Sequence, residues 1–96
     1  MQETHIAGVD LNLLPALAAL LEERHVSRAA TRVGLSQPAM SRALQRLRRV
    51  FDDALLVSGH DGYTLTPRAE RIRGQLAVVL PSLDALFGAA PRTLIR

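Results

Sequence analysis

Apolar residues return at helical spacing in several separate stretches of the chain. The first is Leu13, Leu14, Leu17, Leu20 and Leu21, with Glu22 and Glu23 off the stripe, which predicts a first helix over about 12–24. Asp10 or Asn12 can cap it. With Asn12 as the cap, Pro15 falls at the third helical position, where its missing N–H costs no hydrogen bond. Ser27 is expected to cap a short second helix, Arg28 to Val33, ended by a left-handed turn at Gly34. Ser36 then caps a third helix, 36–50, with Pro38 harmless inside its first turn. The inner stripe of that helix is Met40, Leu44 and Leu47, with Ala43 beside it. Its outer stripe is Gln37, Ser41, Gln45 and Arg48, flanked by Arg42, Arg46 and Arg49, and no apolar residue interrupts it.

Asp52-Asp53 stops the third helix. Residues 55–58 and 63–65 read as two short strands around 59–62, where Asp61-Gly62 is a strong turn signal. Thr66-Pro67 opens a last helix, to about Phe87, that the segment Gly88 to Pro91 breaks. Within it Ala69, Ile72, Leu76, Val79, Leu83 and Leu86 follow a 3-4-3-4-3 spacing, a heptad seam that Leu80 and Phe87 widen. Gly74, Pro81 and Gly88 are expected on the opposite face. A helix of about 22 residues spans roughly 33 Å, enough to reach beyond a small domain. Its seam can pack on its own domain or on a second copy. The expected fold is therefore mainly α: a helix-turn-helix with a two-stranded wing over 1–65, and a long linker helix over 66–88.

Composition narrows the possibilities. Ninety-six residues make one domain, and one this short gains from a second copy or a neighbouring domain. Phe51, Tyr63 and Phe87 are the only aromatic residues besides histidine, so the core must be Leu, Val and Ala, which suits packed helices. Without cysteine, neither a disulfide framework nor a thiolate metal site can form. No apolar run approaches a membrane span and the N-terminus lacks a signal pattern, so a cytoplasmic location without a membrane partner is expected. The net charge of +3 decides little, but its distribution decides more. All 12 basic residues are Arg, and Arg24, Arg28, Arg32, Arg42, Arg46, Arg48 and Arg49 fall in a stretch without Asp or Glu. Charge alone leaves a solvated face and a footprint on a polyanion equally open.

The spacing settles more than the charge. In a helix-turn-helix the second helix crosses the first closely and protrudes into the DNA major groove. That needs a small residue at the crossing (Ala30) and, four positions later, one that tolerates positive φ (Gly34). Ala29, Val33, Leu35, Met40 and Ala43 supply the apolar contacts that lock the pair. The run "VSRAATRVGLSQPAMSRALQRL" from Val26 to Leu47 resembles the DNA-binding domain of LysR-type transcriptional regulators. "DLNLLPALAALLEE" before it and "LTPRAE" after it match the same family, the latter in the manner of its nodulation-regulator-like branch. The resemblance covers roughly 10–96, and Ser36 to Arg42 is its most specific part.

That resemblance implies a bacterial regulator's sequence-specific DNA-binding domain, acting on double-stranded DNA at an interrupted inverted-repeat promoter site. Two copies would pair through the last helix as an antiparallel arm, with Ala69, Ile72, Leu76, Val79, Leu80, Leu83 and Leu86 at the interface. Residues 89–96 resemble the hinge into an effector-binding domain that this sequence lacks. The resemblance therefore implies a truncated chain, with the small-molecule effector and any tetramer contacts belonging to the missing part. Gln37 and Arg42 can each pair bidentately with a base, adenine and guanine respectively, and Pro38 offers an apolar edge to a thymine methyl. Ser36 brings the helix N-terminus to a phosphate, while Ser41 and Gln45 extend the reading face. Arg28 and Arg32 would meet phosphates and position the module without reading sequence. Arg46 and Arg49 are expected at the DNA backbone or at acidic neighbours such as Asp52 and Asp53. Where the family's wings usually carry Arg this chain has Ser58, which leaves His60 as a weaker wing contact.

Two other classes fit less well. A protein-docking module that kept helix-turn-helix packing would be expected to replace the Gln-Ser-Arg face with acidic or apolar residues. An enzyme would need a constellation that is missing: His5, His25 and His60 stand alone, with no HExxH, GxSxG or phosphate loop, and no cofactor or metal is implied.

Overall fold

The computed structural model describes residues 8–60 and 62–88, and within them the chain forms four α-helices and one hairpin. Asp10 caps a 3-10 turn, Leu11–Leu13, by accepting the Asn12 amide at 3.0 Å. Asn12 therefore lies inside the turn and is not the cap of a helix from 12. Helix α1, Leu14–Glu23, follows, and it ends at Arg24, which takes a left-handed conformation (φ 53°) and donates its amide to the Leu20 carbonyl. Helix α2, Val26–Val33, begins two residues before the expected start. Its cap is His25, not Ser27: the imidazole Nδ1 accepts the Arg28 amide at 3.2 Å and so supplies the acceptor usually given by Ser or Asp. Ser27, inside the first turn, accepts the Thr31 hydroxyl at its carbonyl instead.

Helix α3, Gln37–Phe51, starts at the expected Ser36 cap, whose hydroxyl accepts the Ala39 amide at 3.2 Å. Asp52, at φ 51°, ends it. Strands β1, Leu56–Gly59, and β2, Gly62–Leu65, pair antiparallel from Leu56↔Leu65 to Gly59↔Gly62. Leu55, expected as the first strand residue, is instead the centre of a tight turn closed by the Leu56 amide on the Ala54 carbonyl at 2.6 Å. Its φ of 64° is foreign to strand geometry and costs about 1–2 kcal/mol for a residue with a Cβ. Complete burial of the Leu55 side chain offsets that cost.

Helix α4, Pro67–Leu86, is capped by Thr66, whose hydroxyl accepts the Ala69 amide at 3.0 Å, and it runs through Pro81 without breaking. The core is aliphatic throughout. Leu17, Leu20 and Leu21 of α1 meet Ala29 and Ala30 of α2, Met40, Leu44 and Leu47 of α3, and Leu55 and Leu56 beside the wing. Ala69, Ile72 and Leu76 of α4 close the same core. The first half of the predicted heptad row is thus occupied by the chain's own α1 and cannot serve as a free seam. Beyond Leu76 the row emerges: Leu80 and Leu83 are half-buried, Val79 is exposed, and Leu86 is 72% exposed. Pro81 does not sit on a remote face, since it borders the shallow cleft between α1 and α4 with Leu76, Ala77 and Leu80.

Candidate nucleic-acid interface

Helix α2 packs against α3 with Ala30 almost fully buried, and the turn between them is fixed from both sides. Gly34 has φ 76°, and the Leu35 amide reaches back to the Ala30 carbonyl at 2.9 Å, closing the end of α2. No atom beyond its own chain neighbours lies within 4 Å of where a Gly34 Cβ would stand, so the demand there is on backbone conformation. Leu35 does less to lock the pair than its spacing suggested, being 41% exposed. Met40, Ala43, Leu44 and Leu47 anchor one face of α3, which turns the opposite face outward. Gln37, Pro38, Arg42, Gln45, Arg46 and Arg49 are exposed on it, Ser36 lies exposed at its head, and Ser41 is half-buried. Apart from Arg48, the side chains singled out from the sequence on α3 therefore share one outward surface, with the α3 N-terminus at its leading end.

The arginines divide into two groups. Arg32 is engaged by α1, at 2.6 Å from Glu22 and 3.4 Å from Glu23, and the Glu22 carboxylate pushes its guanidinium further up from the ordinary value. Arg32, expected at a phosphate, thus already has an ion-pair partner within the chain. Arg46 pairs with Asp10 at 3.3 Å, an acidic neighbour brought from the N-terminal turn rather than Asp52 or Asp53. Arg48, placed on the outer stripe by its spacing, turns inward and donates to the Ala54 and Leu56 carbonyls at 2.8 and 2.9 Å. Arg24 lies 3.8 Å from Glu70. Among the described residues, no carboxylate pairs with Arg28, Arg42 or Arg49. Those three remain available to an external anion.

The wing projects beyond the core. His60 lies exposed just after β1, and Ser58 pairs across the hairpin with Tyr63. At its base Asp53 accepts both the Thr66 hydroxyl at 2.6 Å and the Leu55 amide at 2.8 Å. The Thr66 bond first, and the Leu55 amide second, hold the Asp53 carboxyl below the usual carboxylate range. Sequence reasoning missed this pair of bonds, because Asp53 and Thr66 are brought together only by closure of the hairpin between them. No described helix is long and apolar enough to cross a membrane.

Two packed helices joined by a glycine turn, an outward polar face on the second and a following hairpin define a winged helix-turn-helix domain. Residues 11–70 match the family model described as the bacterial regulatory helix-turn-helix protein, lysR family, and the chain belongs to that family. It is 52% identical over 86 residues to the HTH-type transcriptional regulator SyrM of Rhizobium meliloti (strain 1021), covering 90% of this chain and 26% of that protein. It is 55% identical over 65 residues to Nodulation protein D 1 of Neorhizobium galegae, covering 68% of this chain and 21% of that protein. The nodulation-regulator resemblance of the "LTPRAE" segment agrees with these relatives. Among solved structures, the crystal structure of the CbnR_DBD-DNA complex superposes with a TM-score of 0.71 at 26% identity, covering 92% of this chain and 100% of that one. The chain thus spans about a quarter of the length of the curated relatives it matches. It is a DNA-binding domain of the transcriptional-regulator type.

Proposed function

We propose that this domain reads a specific duplex sequence with the outer face of α3, and that two copies do so together on an interrupted inverted repeat. The observation that carries the first half is the protruding α3 face: Gln37, Pro38 and Arg42 exposed together, with no carboxylate on Arg42 among the described residues. Gln and Arg offer the bidentate donor and acceptor geometry that base edges require in the major groove. Arg28 supplies a backbone contact, while Ser36 presents the α3 N-terminus to a phosphate. Ser41, Gln45 and His60 stand at the margins of this surface. The second half rests on α4, which carries Val79, Leu83 and Leu86 past the end of its own core. A protruding apolar row is uncommon on a monomer and fits a second copy. Regulation of a promoter, an effector and a tetramer would involve the parts of the relatives that this chain does not span.

Selection of bound sites from random duplex DNA tests both halves at once. The expected outcome is a pair of inverted half-sites at one favoured separation. Enrichment of a single half-site would remove the paired reading, and no enrichment over the input would remove sequence-specific recognition.

A further inference from the structure

The recognition helix, the wing and the arm meet at one joint, and two side chains outside the DNA-facing surface hold it. Arg48, near the end of α3, uses Nε and Nη2 to grip the carbonyls of Ala54 and Leu56 on either side of the strained Leu55. Asp53, two residues past α3, accepts the Leu55 amide and the Thr66 hydroxyl on the same oxygen, Oδ2. Thr66 in turn caps α4 and donates its own amide to the Leu55 carbonyl at 2.9 Å. A third strut runs from α4 back to α3, where Arg68 donates to the Phe51 carbonyl at 2.8 Å and lies 5.7 Å over the Phe51 ring. The end of the reading helix and the start of the arm are therefore linked by short directional bonds, not by a slack loop.

We infer that Arg48 and Asp53 are positioning residues that set which half-site separation the paired domain accepts, by fixing the angle between α3 and α4. The inference rests on the paired reading given above. Adding one base pair between half-sites moves one of them about 3.4 Å along and about 34° around the duplex. A stiff joint cannot follow that rotation, whereas a loosened one can. The joint does not touch the reading face, so a single half-site should be indifferent to it.

Fluorescence anisotropy on synthetic duplexes tests this, using the half-site selected by the parent chain. One set carries a single half-site, and a second carries two inverted half-sites at the selected separation and at one base pair more or less. We expect the parent to prefer the selected separation by about tenfold or more, since both contacts are then made at once. Asp53→Ala, which removes the acceptor of both bonds, should bind the single half-site within about twofold of the parent and lose most of the separation preference. Asp53→Asn, which keeps a carbonyl acceptor, should restore it. If Asp53→Ala proves unfolded by circular dichroism, Arg48→Met provides the same comparison while keeping the aliphatic packing. A parent that discriminates separations and folded variants that discriminate as sharply would overturn this inference alone. Equal losses on single and paired sites would also overturn it, as a local folding effect. A parent indifferent to separation would overturn the paired reading together with this inference.

Discussion

Two leucines ten residues apart on α4 should fail in different ways when shortened. Leu76 belongs to the core, lining the α1–α4 cleft beside Leu21, whereas Leu86 is 72% exposed. Leu76→Ala removes buried side-chain atoms and leaves a partly unfilled space, at a cost of about 2–5 kcal/mol. Set against a total of roughly 5–15 kcal/mol for a domain of this kind, that is a large share. It should lower the melting temperature by roughly 10 °C or more. A Val79→Ser, Leu86→Ser double variant touches side chains that leave the core, so the monomer fold should change by no more than about 0.5 kcal/mol per site. In a symmetric pair those two positions are buried twice. At about 1.5 kcal/mol for each side chain, near the low end for full burial, the pair loses roughly 6 kcal/mol, more than four powers of ten in its dissociation constant. Sedimentation from micromolar concentrations upward, thermal melts by circular dichroism and gel shifts on the selected inverted repeat read these effects separately. Monomeric sedimentation with a parental melt and weakened repeat binding is expected for the double variant. If it sediments and binds like the parent, the exposed row of α4 is not an interface. If Leu76→Ala melts like the parent, Leu76 is not core.

Gln37→Ala and Arg42→Ala should each cost about 1–3 kcal/mol on the selected site and relax preference at one base position, read by competition with single-base variants. Unchanged preference would mean that the reading face lies elsewhere. Arg28→Ala should flatten the salt dependence of binding by about one counterion, while Arg32→Ala, already paired with Glu22, should leave that slope nearly unchanged. Equal slopes for the two variants would refute the division of the arginines. Gly34→Val should lower the melting temperature through strain of about 1–3 kcal/mol at positive φ, with no clash to relieve, and a parental melt would show that the turn is not left-handed. Asp53, held below the usual carboxylate range, contributes stability that is present above that range and lost as pH falls through its lowered folded value. Asp53→Asn should therefore flatten the acid side of the stability profile, and an unaltered acid limb would count against the Thr66 bond.

Much of the fold was legible because its determinants are local. The Ser36 cap, the Gly34 turn, the Thr66-Pro67 start of α4 and the Asp52 stop are each written within a few residues of where they act. The inner stripes of α1 and α3 followed from spacing alone, and so did the outer face of α3 apart from Arg48. What the spacing could not supply was the distance at which one helix stops covering another. The heptad row of α4 is continuous in sequence, yet only Ala69, Ile72 and Leu76 enter the core, with Leu80 packed partly against it. A row of identical chemistry is thus core at one end and surface at the other. The His25 cap was missed for a different reason: imidazole is an uncommon capping acceptor, so the ordinary cap residue two positions later drew the assignment.

The arginines show why charge density overstates a binding surface. Between Arg24 and Arg49 the sequence places seven guanidinium groups with no acid among them, which reads as a uniform basic face. The acids that answer them come from elsewhere in the chain: Asp10 before the stretch, Glu22 and Glu23 at the end of α1, and Glu70 on α4. Arg48 has no acidic partner among the described residues and instead donates to the Ala54 and Leu56 carbonyls that flank Leu55. A long side chain with several directional donors can serve the fold whenever an acceptor lies within its reach, and near the end of a helix acceptors are common. Spacing along α3 gives the direction of Cα–Cβ, but not where a guanidinium several bonds further out comes to rest. The groups left over, Arg28, Arg42 and Arg49, are those for which the described structure offers no competing acid. What the described structure leaves for an external anion is thus a small set of cations, with Arg42 on the α3 face that also exposes Gln37.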